Sequence, residues 1–279
     1  MKSFLLDCFN KISFCRHFEN YVYKKIQDKT ISIPVYLSAG QESTPCSISA
    51  FLKEKNVEPN IFIQHRGHST YIAFEASPVK LIDELLGLES GCSFGMGGSA
   101  SIQSIEKNIY GHDGLMGSQV PIAVGHCYHT KHPTIVFMGD ASAEEDYVGS
   151  AIGWASTKNL PILFVVEDNN LSILTEKKVR RNWNMHELAQ AYKVEAYDIG
   201  DDPTQIYKHL ENVFNRPLLL NIKTVRKFWH SGAGIDGDYF DRYEWLKKTL
   251  PFDTTEIDEI NKNKVEALWQ SHLEKLSSQ

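Results

Sequence analysis

The sequence predicts an α/β fold: one mainly parallel sheet with helices on both faces. Three observations lead there. Short apolar runs at 60–63, 134–138, 162–166 and 217–224 have the length and branched, apolar content of buried strands. Helix-like segments stand between them, as the crossovers of a parallel sheet require. No internal repeat or low-complexity linker divides the 279 residues, so one α/β domain is expected.

In chain order, residues 1–30 read as a helical arm, with Phe4, Leu5, Phe9, Ile12, Phe14 and Phe18 near helical spacing. The arm is expected to pack on the domain or on another subunit. Ala39-Gly40 is a turn, and Ser43 or Thr44 caps a helix running to about Lys55. The strand at 60–63 ends in Gln64-His65-Arg66-Gly67-His68-Ser69. A short helix over 78–86 leads to a loop at 91–99 with four glycines, which suggests a tight or mobile backbone and a gate over a site. A second glycine-bearing turn, 111–121, opens a helix over 119–130 that feeds the strand at 134–138. A helix over 143–158 and the strand at 162–166 follow. Helices over 186–192, 203–214, 239–250 and 256–276 and strands at 193–197 and 217–224 complete the chain. Residues 31–250 form the expected domain. Residues 251–279 form a terminal amphipathic helix, with Ile257, Ile260, Val265, Leu268, Trp269 and Leu276 as its apolar positions.

Hydrophobic residues make up 42% of the chain, ample for a packed core, and the net charge of −6 argues against nonspecific nucleic-acid binding. No apolar run approaches the roughly 18 residues of a membrane helix. The first residues lack a small-residue cleavage site, so no signal peptide is expected. The five cysteines are odd in number and contain no Cys-x-x-Cys pair, which points to reduced thiols and a cytoplasmic compartment. His126, Cys127, His129 and His132 fall close together. No second cluster with ligand spacing accompanies them, so a zinc site is not expected. The basic patch Lys177, Lys178, Arg180 and Arg181 reads as a solvated loop.

Chemistry concentrates at strand ends. Gly139-Asp140 ends one strand, and Asn169-Asn170 ends the next, one strand-helix-strand crossover later. In an open parallel sheet both ends face the same crevice, where ligands bind. A carboxylate and an amide oxygen can share one hard divalent ion, and Mg²⁺ takes few protein oxygens alongside those of phosphate. A helix N-terminus after Asp140 would add free N–H groups and positive dipole for a diphosphate. Arg66, with His65 and His68 beside it, suits a phosphate and a proton-transfer partner. The last strand ends in another charged, glycine-bearing loop that holds Arg226 and His230.

Four segments, 64–68, 111–121, 139–170 and 224–231, together resemble the α subunit of the E1 component of 2-oxoacid dehydrogenases, thiamine-diphosphate enzymes of the pyruvate, branched-chain and acetoin type. The likeness runs from about Gly40 to about Tyr243 and implies the thiamine-diphosphate-binding fold. It also implies roles at matching positions. Asp140 and Asn169 would hold Mg²⁺, with the backbone carbonyl of Leu171 as a further ligand. Arg66 and Arg226 would bind the diphosphate, alongside Gly139, Ala141 and Ser142. His65 would belong to the same site in place of the usual Tyr. Gly114 would meet the aminopyrimidine through its backbone, and Met116 would wedge between the cofactor's two rings. His230 matches a loop histidine that handles the substrate carboxylate or acyl transfer, and His68 matches a second active-site histidine. Ser231 matches a serine phosphorylated in some relatives. Glu167 follows the pattern without an assigned role.

The chain departs from that pattern in places. Tyr36 stands where a histidine is usual, and Ala100-Ser101-Ile102 replaces a Met-His-Met stretch. Phe228-Trp229 replaces His-Gly, and Ser150 replaces a glutamate. The implied activity is decarboxylation of a 2-oxoacid, or cleavage of acetoin, with transfer of the acyl or aldehyde unit. In this family the glutamate that activates the cofactor lies on a second domain. The resemblance therefore implies a β subunit carrying the pyrimidine-binding domain, a heterotetramer, and a lipoyl-bearing E2 as acyl acceptor. The altered substrate segments leave open a transketolase-like or acyloin-forming subunit acting on a sugar or ketoacid. A non-catalytic cofactor-binding subunit is the third alternative.

Overall fold

Parallel pairing of six short strands sets the frame, in a computed structural model that describes residues 1–232, 234–237 and 239–277. Ser278 and Gln279, expected at the end of the terminal helix, lie outside the described residues, as does the side chain of Leu276. The chain opens with α1 (Lys2–Gln27), α2 (Ser43–Glu54), β1 (Asn60–Phe62), α3 (His68–Ala73) and α4 (Pro78–Leu85). Next come β2 (Ile109–Tyr110), α5 (Gln119–Thr130), β3 (Thr134–Gly139), α6 (Asp146–Thr157) and β4 (Ile162–Asp168). A small hairpin, β5 (Leu171–Ser172) with β6 (Thr175–Glu176), leads into α7 (Lys177–Arg180) and α8 (Met185–Ala191). The chain closes with β7 (Glu195–Gly200), α9 (Pro203–His209), β8 (Leu218–Lys223), α10 (Arg242–Thr249) and α11 (Thr255–Ser277). The main sheet runs β2-β1-β3-β4-β8-β7, with every pair parallel. The expected sheet is present. The elements the sequence did not reveal, namely β2, the hairpin, α3 and α7, are too short to leave a readable period.

Both faces of the sheet are covered, which is why its strands read as unbroken apolar runs. Ile135, Phe137, Leu163 and Val165 point into one core. Their neighbours Val136, Met138, Phe164 and Val166 point into the other. Val120 of α5, Ile152 of α6 and Ala189 of α8 close the second core. Helices α1, α2, α4 and α11 help close the first.

The N-terminal helix is woven into that first core. Phe9, Ile12, Cys15, Phe18 and Val22 recur at helical spacing and are fully buried. Three polar residues share the stripe, and two of them fix what lies beneath. Arg16 donates to Glu42 at 2.5 and 3.1 Å and to Asp241 at 2.7 and 3.0 Å. Glu19 accepts the backbone N–H of Ser38 at 2.6 Å and lies 2.8 Å from His68 Nδ1. A buried charge left alone costs several kcal/mol, on the order of 3–5, so these pairs hold residues 38–42 in one place. Within that segment Gly40 has φ +98°, and a Cβ there would lie 2.5 Å from the carbonyl oxygen of Val225. Only glycine allows the two backbones this close. Ser43 and Thr44 do not cap α2. Glu42 occupies the N-cap position without a capping bond, and its carboxylate instead takes Arg16 and the N–H of Gly40.

The glycine-rich loop is pinned rather than poised as a gate. Glu84, at the end of α4, is fully buried, and its carboxylate accepts the backbone N–H groups of Ser93, Gly95, Gly97 and Gly98 at 2.6–3.0 Å. Ser99 continues the chain of contacts to the N–H of Tyr36 and to His68 Nε2, both 2.9 Å. Glu84→Gln exchanges one accepting oxygen for a donor facing other donors. It is expected to cost about 3 kcal/mol, the scale of two charge-assisted bonds. Urea denaturation measures it, and an unchanged midpoint would contradict the assignment.

Asp258 of α11 joins three helices. It accepts Ser13 Oγ and Tyr243 Oη, both at 2.6 Å, and lies 2.9 Å from His17 Nε2. Burial would raise its pKa, but these partners outweigh burial and hold it down at about 2. A depressed acid stabilises the fold above its ordinary range and loses that contribution as pH falls toward the folded value. Melting curves across pH 4 to 2 should therefore fall less steeply for Asp258→Asn than for the natural chain, from a lower start at pH 7.

Candidate functional site

The C-terminal ends of β1, β3, β4 and β8 open on one cavity of about 490 Å³. Arg66 follows β1, Asp140 follows β3, Asn169 follows β4 and Arg226 follows β8, and all four line the cavity. Parallel register pairs Gly139 with Glu167, so the residues just beyond these positions emerge side by side. His65, Ala141, Ser142, Leu171 and His230 line the same space, as do Gly114 and Met116 from the turn before α5. Of the residues given a catalytic, cofactor or metal role from the sequence, His68 alone stands apart. It is fully buried at the start of α3, with both ring nitrogens engaged by Glu19 and Ser99. It supports the wall behind the cavity and does not reach into it.

Asp140 is almost wholly buried. Burial, with the nearby Asp168 carboxylate, pushes its pKa up to about 6 against the pull of Arg180, which forms an ion pair with it. Asn169 donates to Gln41 Oε1 and accepts the N–H of Leu171, both at 3.0 Å, which folds the chain back over the end of β4. Asp140, Asn169 and the Leu171 carbonyl would offer oxygen donors of the kind Mg²⁺ or Ca²⁺ takes.

Two arginines crowd the opposite wall. Arg66 donates to the carbonyls of Leu37 at 2.8 Å and His230 at 3.1 Å. Burial, with the neighbouring Arg226 next in weight, pushes the pKa of Arg66 down to about 10. Arg226 is paired through Nε with Asp236, while its Nη2 is buried without a partner. Beside them His65 is pushed down to about 2 by burial and by Arg66, so it is a neutral ring. Neither of its nitrogens has a partner. His230 is lowered by burial and by the two arginines. Tyr36 lies edge-on to His65 and to His230, with ring centroids 5.0 and 5.3 Å away. Unpaired buried donors gathered around two guanidiniums form a site for an anion with several oxygens.

The turn before α5 shapes the other end. Gly114 has φ +99°, which a side chain would strain. Met116 is held over the site by Tyr147 Oη on its carbonyl and by a 3.6 Å contact from Ser142 Oγ to its sulfur.

Several sequence expectations need correction. Helix α6 starts at Asp146 rather than near Ala143, so no α-helix N-terminus follows Asp140 directly. A single 3₁₀ turn, Ser142–Glu144, intervenes, and Ser142 and Glu144 of that turn line the cavity. The basic patch is no solvated loop: Lys177 pairs with Asp168, Arg180 with Asp140 and Glu144, and Arg181 with Glu144. Only Lys178 of the four extends well into solvent. The loop at 91–98 does not line the cavity. In the histidine cluster at the end of α5, His132 contacts the Glu58 carbonyl at 2.6 Å. Sequence reasoning missed Arg180 and His112, and left Glu167 without a role. Glu167 is bound to Gln64, and burial pushes its pKa up to about 7. Its position at the tip of β4, directly before Asp168-Asn169, was the available signal.

Comparison with known proteins agrees with this arrangement. The fold resembles transketolase from Campylobacter jejuni, with a TM-score of 0.58 at 16% identity, over 96% of this chain and 48% of that one. The sequence is 30% identical to pyruvate dehydrogenase E1 component subunit alpha of Rickettsia felis, over 70% of this chain and 63% of the relative. It is 27% identical to the alpha subunit of acetoin:2,6-dichlorophenolindophenol oxidoreductase of Cupriavidus necator, over 82% of this chain and 72% of that one. The chain thus spans less than two thirds of the Rickettsia relative. The pattern of the dehydrogenase E1 component matches residues 10–247, from within α1, past the anion site and all four strand ends. With that span covered, the chain belongs to the dehydrogenase E1 component family.

Proposed function

We propose that this chain is the α-type subunit of a thiamine-diphosphate-dependent 2-oxoacid or acetoin dehydrogenase. The observation that carries the reading is the pair of buried guanidiniums, Arg66 and Arg226, with unpartnered donors beside them. Together they suit a diphosphate. His65 adds a neutral donor in the same wall. Asp140, Asn169 and the Leu171 carbonyl would hold the accompanying Mg²⁺. Gly114 offers bare backbone, and Met116 a held thioether, to the ring end of the cofactor.

Thiamine diphosphate, when bound, supplies the nucleophilic carbon and the electron sink that 2-oxoacid chemistry needs. The residues of this chain bind, orient and exclude water. His230, kept neutral by burial and by the arginines, is placed to give or take a proton at the substrate's carboxylate or carbonyl oxygen. A partner would complete the site. Leu115, Met116, Ile173, Leu174 and Trp229 are exposed apolar residues on the cavity's own loops. Such a patch fits burial by a β subunit that carries the pyrimidine-binding domain, with a lipoyl-bearing E2 as acceptor.

The assay is decarboxylation of a 2-oxoacid with an artificial electron acceptor, using the chain co-expressed with its proposed partner. Acyl transfer to a lipoyl domain is expected. Activity with aldehyde acceptors alone would move the chain to the carboligase reading, and cofactor binding without turnover to a non-catalytic one. Asp140→Asn should weaken Mg²⁺-dependent cofactor binding at least about tenfold by calorimetry, the scale of one charge-assisted contact. Undiminished affinity would remove Asp140 from the ligand set. His230→Ala should lower kcat about a hundredfold while leaving the cofactor Kd within about threefold; equal loss of both would contradict its placement.

A further inference from the structure

We infer that His112 is a ligand-binding residue whose Nε2–H donates into the cavity to an oxygen of the bound cofactor or substrate. This rests on the cofactor reading above and extends it to a residue which that reading leaves idle.

His112 lines the cavity and is 3% exposed. Its Nδ1 accepts the backbone N–H of Gly114 at 2.9 Å. An amide N–H only donates, so Nδ1 carries the lone pair. Burial holds the ring's pKa below its ordinary value, so the ring is neutral and its one proton sits on Nε2. That Nε2 is buried and has no partner. A buried donor without a partner works against the fold, so a purely structural role does not account for it.

The neighbours show what the donor serves. The rings of His112 and His65 lie 5.9 Å apart, and both nitrogens of His65 are also unpartnered. His65 adjoins Arg66 in sequence, and His112 adjoins the Gly114 turn. The two imidazoles therefore carry the anion wall from the arginines toward Gly114 and Met116. They add donors without adding charge. That matters because Arg66 and Arg226 already repel each other, and a third cation would strain the pair further. A ligand oxygen accepts equally well from a neutral N–H. That oxygen belongs either to the diphosphate or to the substrate's carbonyl or carboxylate, and the experiment separates the two.

Two substitutions divide the functions of the ring. In His112→Asn the amide oxygen replaces Nδ1 and keeps the bond to the Gly114 N–H, as asparagine does in Asx turns, but the distal donor is gone. In His112→Gln the amide nitrogen reaches the Nε2 position. The full chain, co-expressed with its proposed partner, is titrated with thiamine diphosphate plus Mg²⁺ and with inorganic diphosphate, and KM and kcat are measured. H112N should weaken cofactor Kd or raise substrate KM about tenfold, with H112Q recovering to within about threefold of the natural chain. A loss that extends to inorganic diphosphate places the donor on the diphosphate. A loss confined to KM, with kcat and cofactor Kd kept, places it on the substrate. The inference is overturned if H112N matches the natural chain in every measurement, or if both variants lose affinity and melting temperature equally. A natural complex that binds neither probe overturns the cofactor reading, and this inference with it. A natural complex that binds both while H112N is unaffected overturns this inference alone.

Discussion

Two like charges buried side by side set the terms for this molecule. Arg66 follows β1 and Arg226 follows β8, at the same end of one sheet with β3 and β4 between those strands, and both are out of water, with Asp236 as the acid paired to Arg226. In a medium of reduced dielectric such a pair is costly, and its cost falls when an anion with several oxygens arrives. A fold does not keep that arrangement for stability. It keeps it because the surroundings prevent either arginine from turning away, and that restraint is where much of the N-terminal half is spent.

The restraint can be traced through the chain. Helix α1 buries Arg16 and Glu19 toward the core, where they hold Glu42 and the Ser38 amide. Residues 38–42 are thereby fixed, and the N–H groups of Val225 and Lys227 bond to the carbonyls of Gly40 and Ala39. Those two residues flank Arg226. The carbonyl of Leu37, one residue earlier, takes Arg66. Both guanidiniums are thus positioned from a segment that carries no cofactor chemistry itself. From the other side Glu84 fixes the loop that ends at Ser99, and Ser99 holds His68 and the amide of Tyr36. His68 belongs to this bracing, which explains a histidine beside the site that never faces it.

Much of this was legible in the sequence, and what was not has physical reasons. Long apolar runs gave β3, β4 and β8, because strands buried on both faces need no alternation to be recognised. Asp140, Asn169, Arg66 and Arg226 could be picked out because strand ends in a parallel sheet share one edge. Their joint position depends on topology, not on side-chain detail. Arg180 was misread because a run of basic residues looks the same whether it meets water or the carboxylates of Asp140 and Glu144. The choice is made by a two-residue hairpin that no periodicity announces. The loop at 91–98 was misread for a related reason. Four glycines imply freedom until one carboxylate, remote in spacing but adjacent in space, accepts four of the loop's amides.

The departures from the family pattern also change meaning once they are placed in space. Tyr36 stands where a histidine is usual, and His65 where a tyrosine is usual. In sequence these are two separate anomalies. In the structure their rings meet edge to face, with centroids 5.0 Å apart and planes nearly perpendicular. The two departures therefore belong to one aromatic contact, and a change on either side is felt by the other. The imidazole now lies beside Arg66, where burial and that guanidinium keep it uncharged. The phenol stands against His230. The pair thus adds an uncharged ring to the anion wall and a phenol beside the loop histidine. On the proposed function, selection between substrates falls to Tyr36 and His230, the residues this contact joins at the cavity wall.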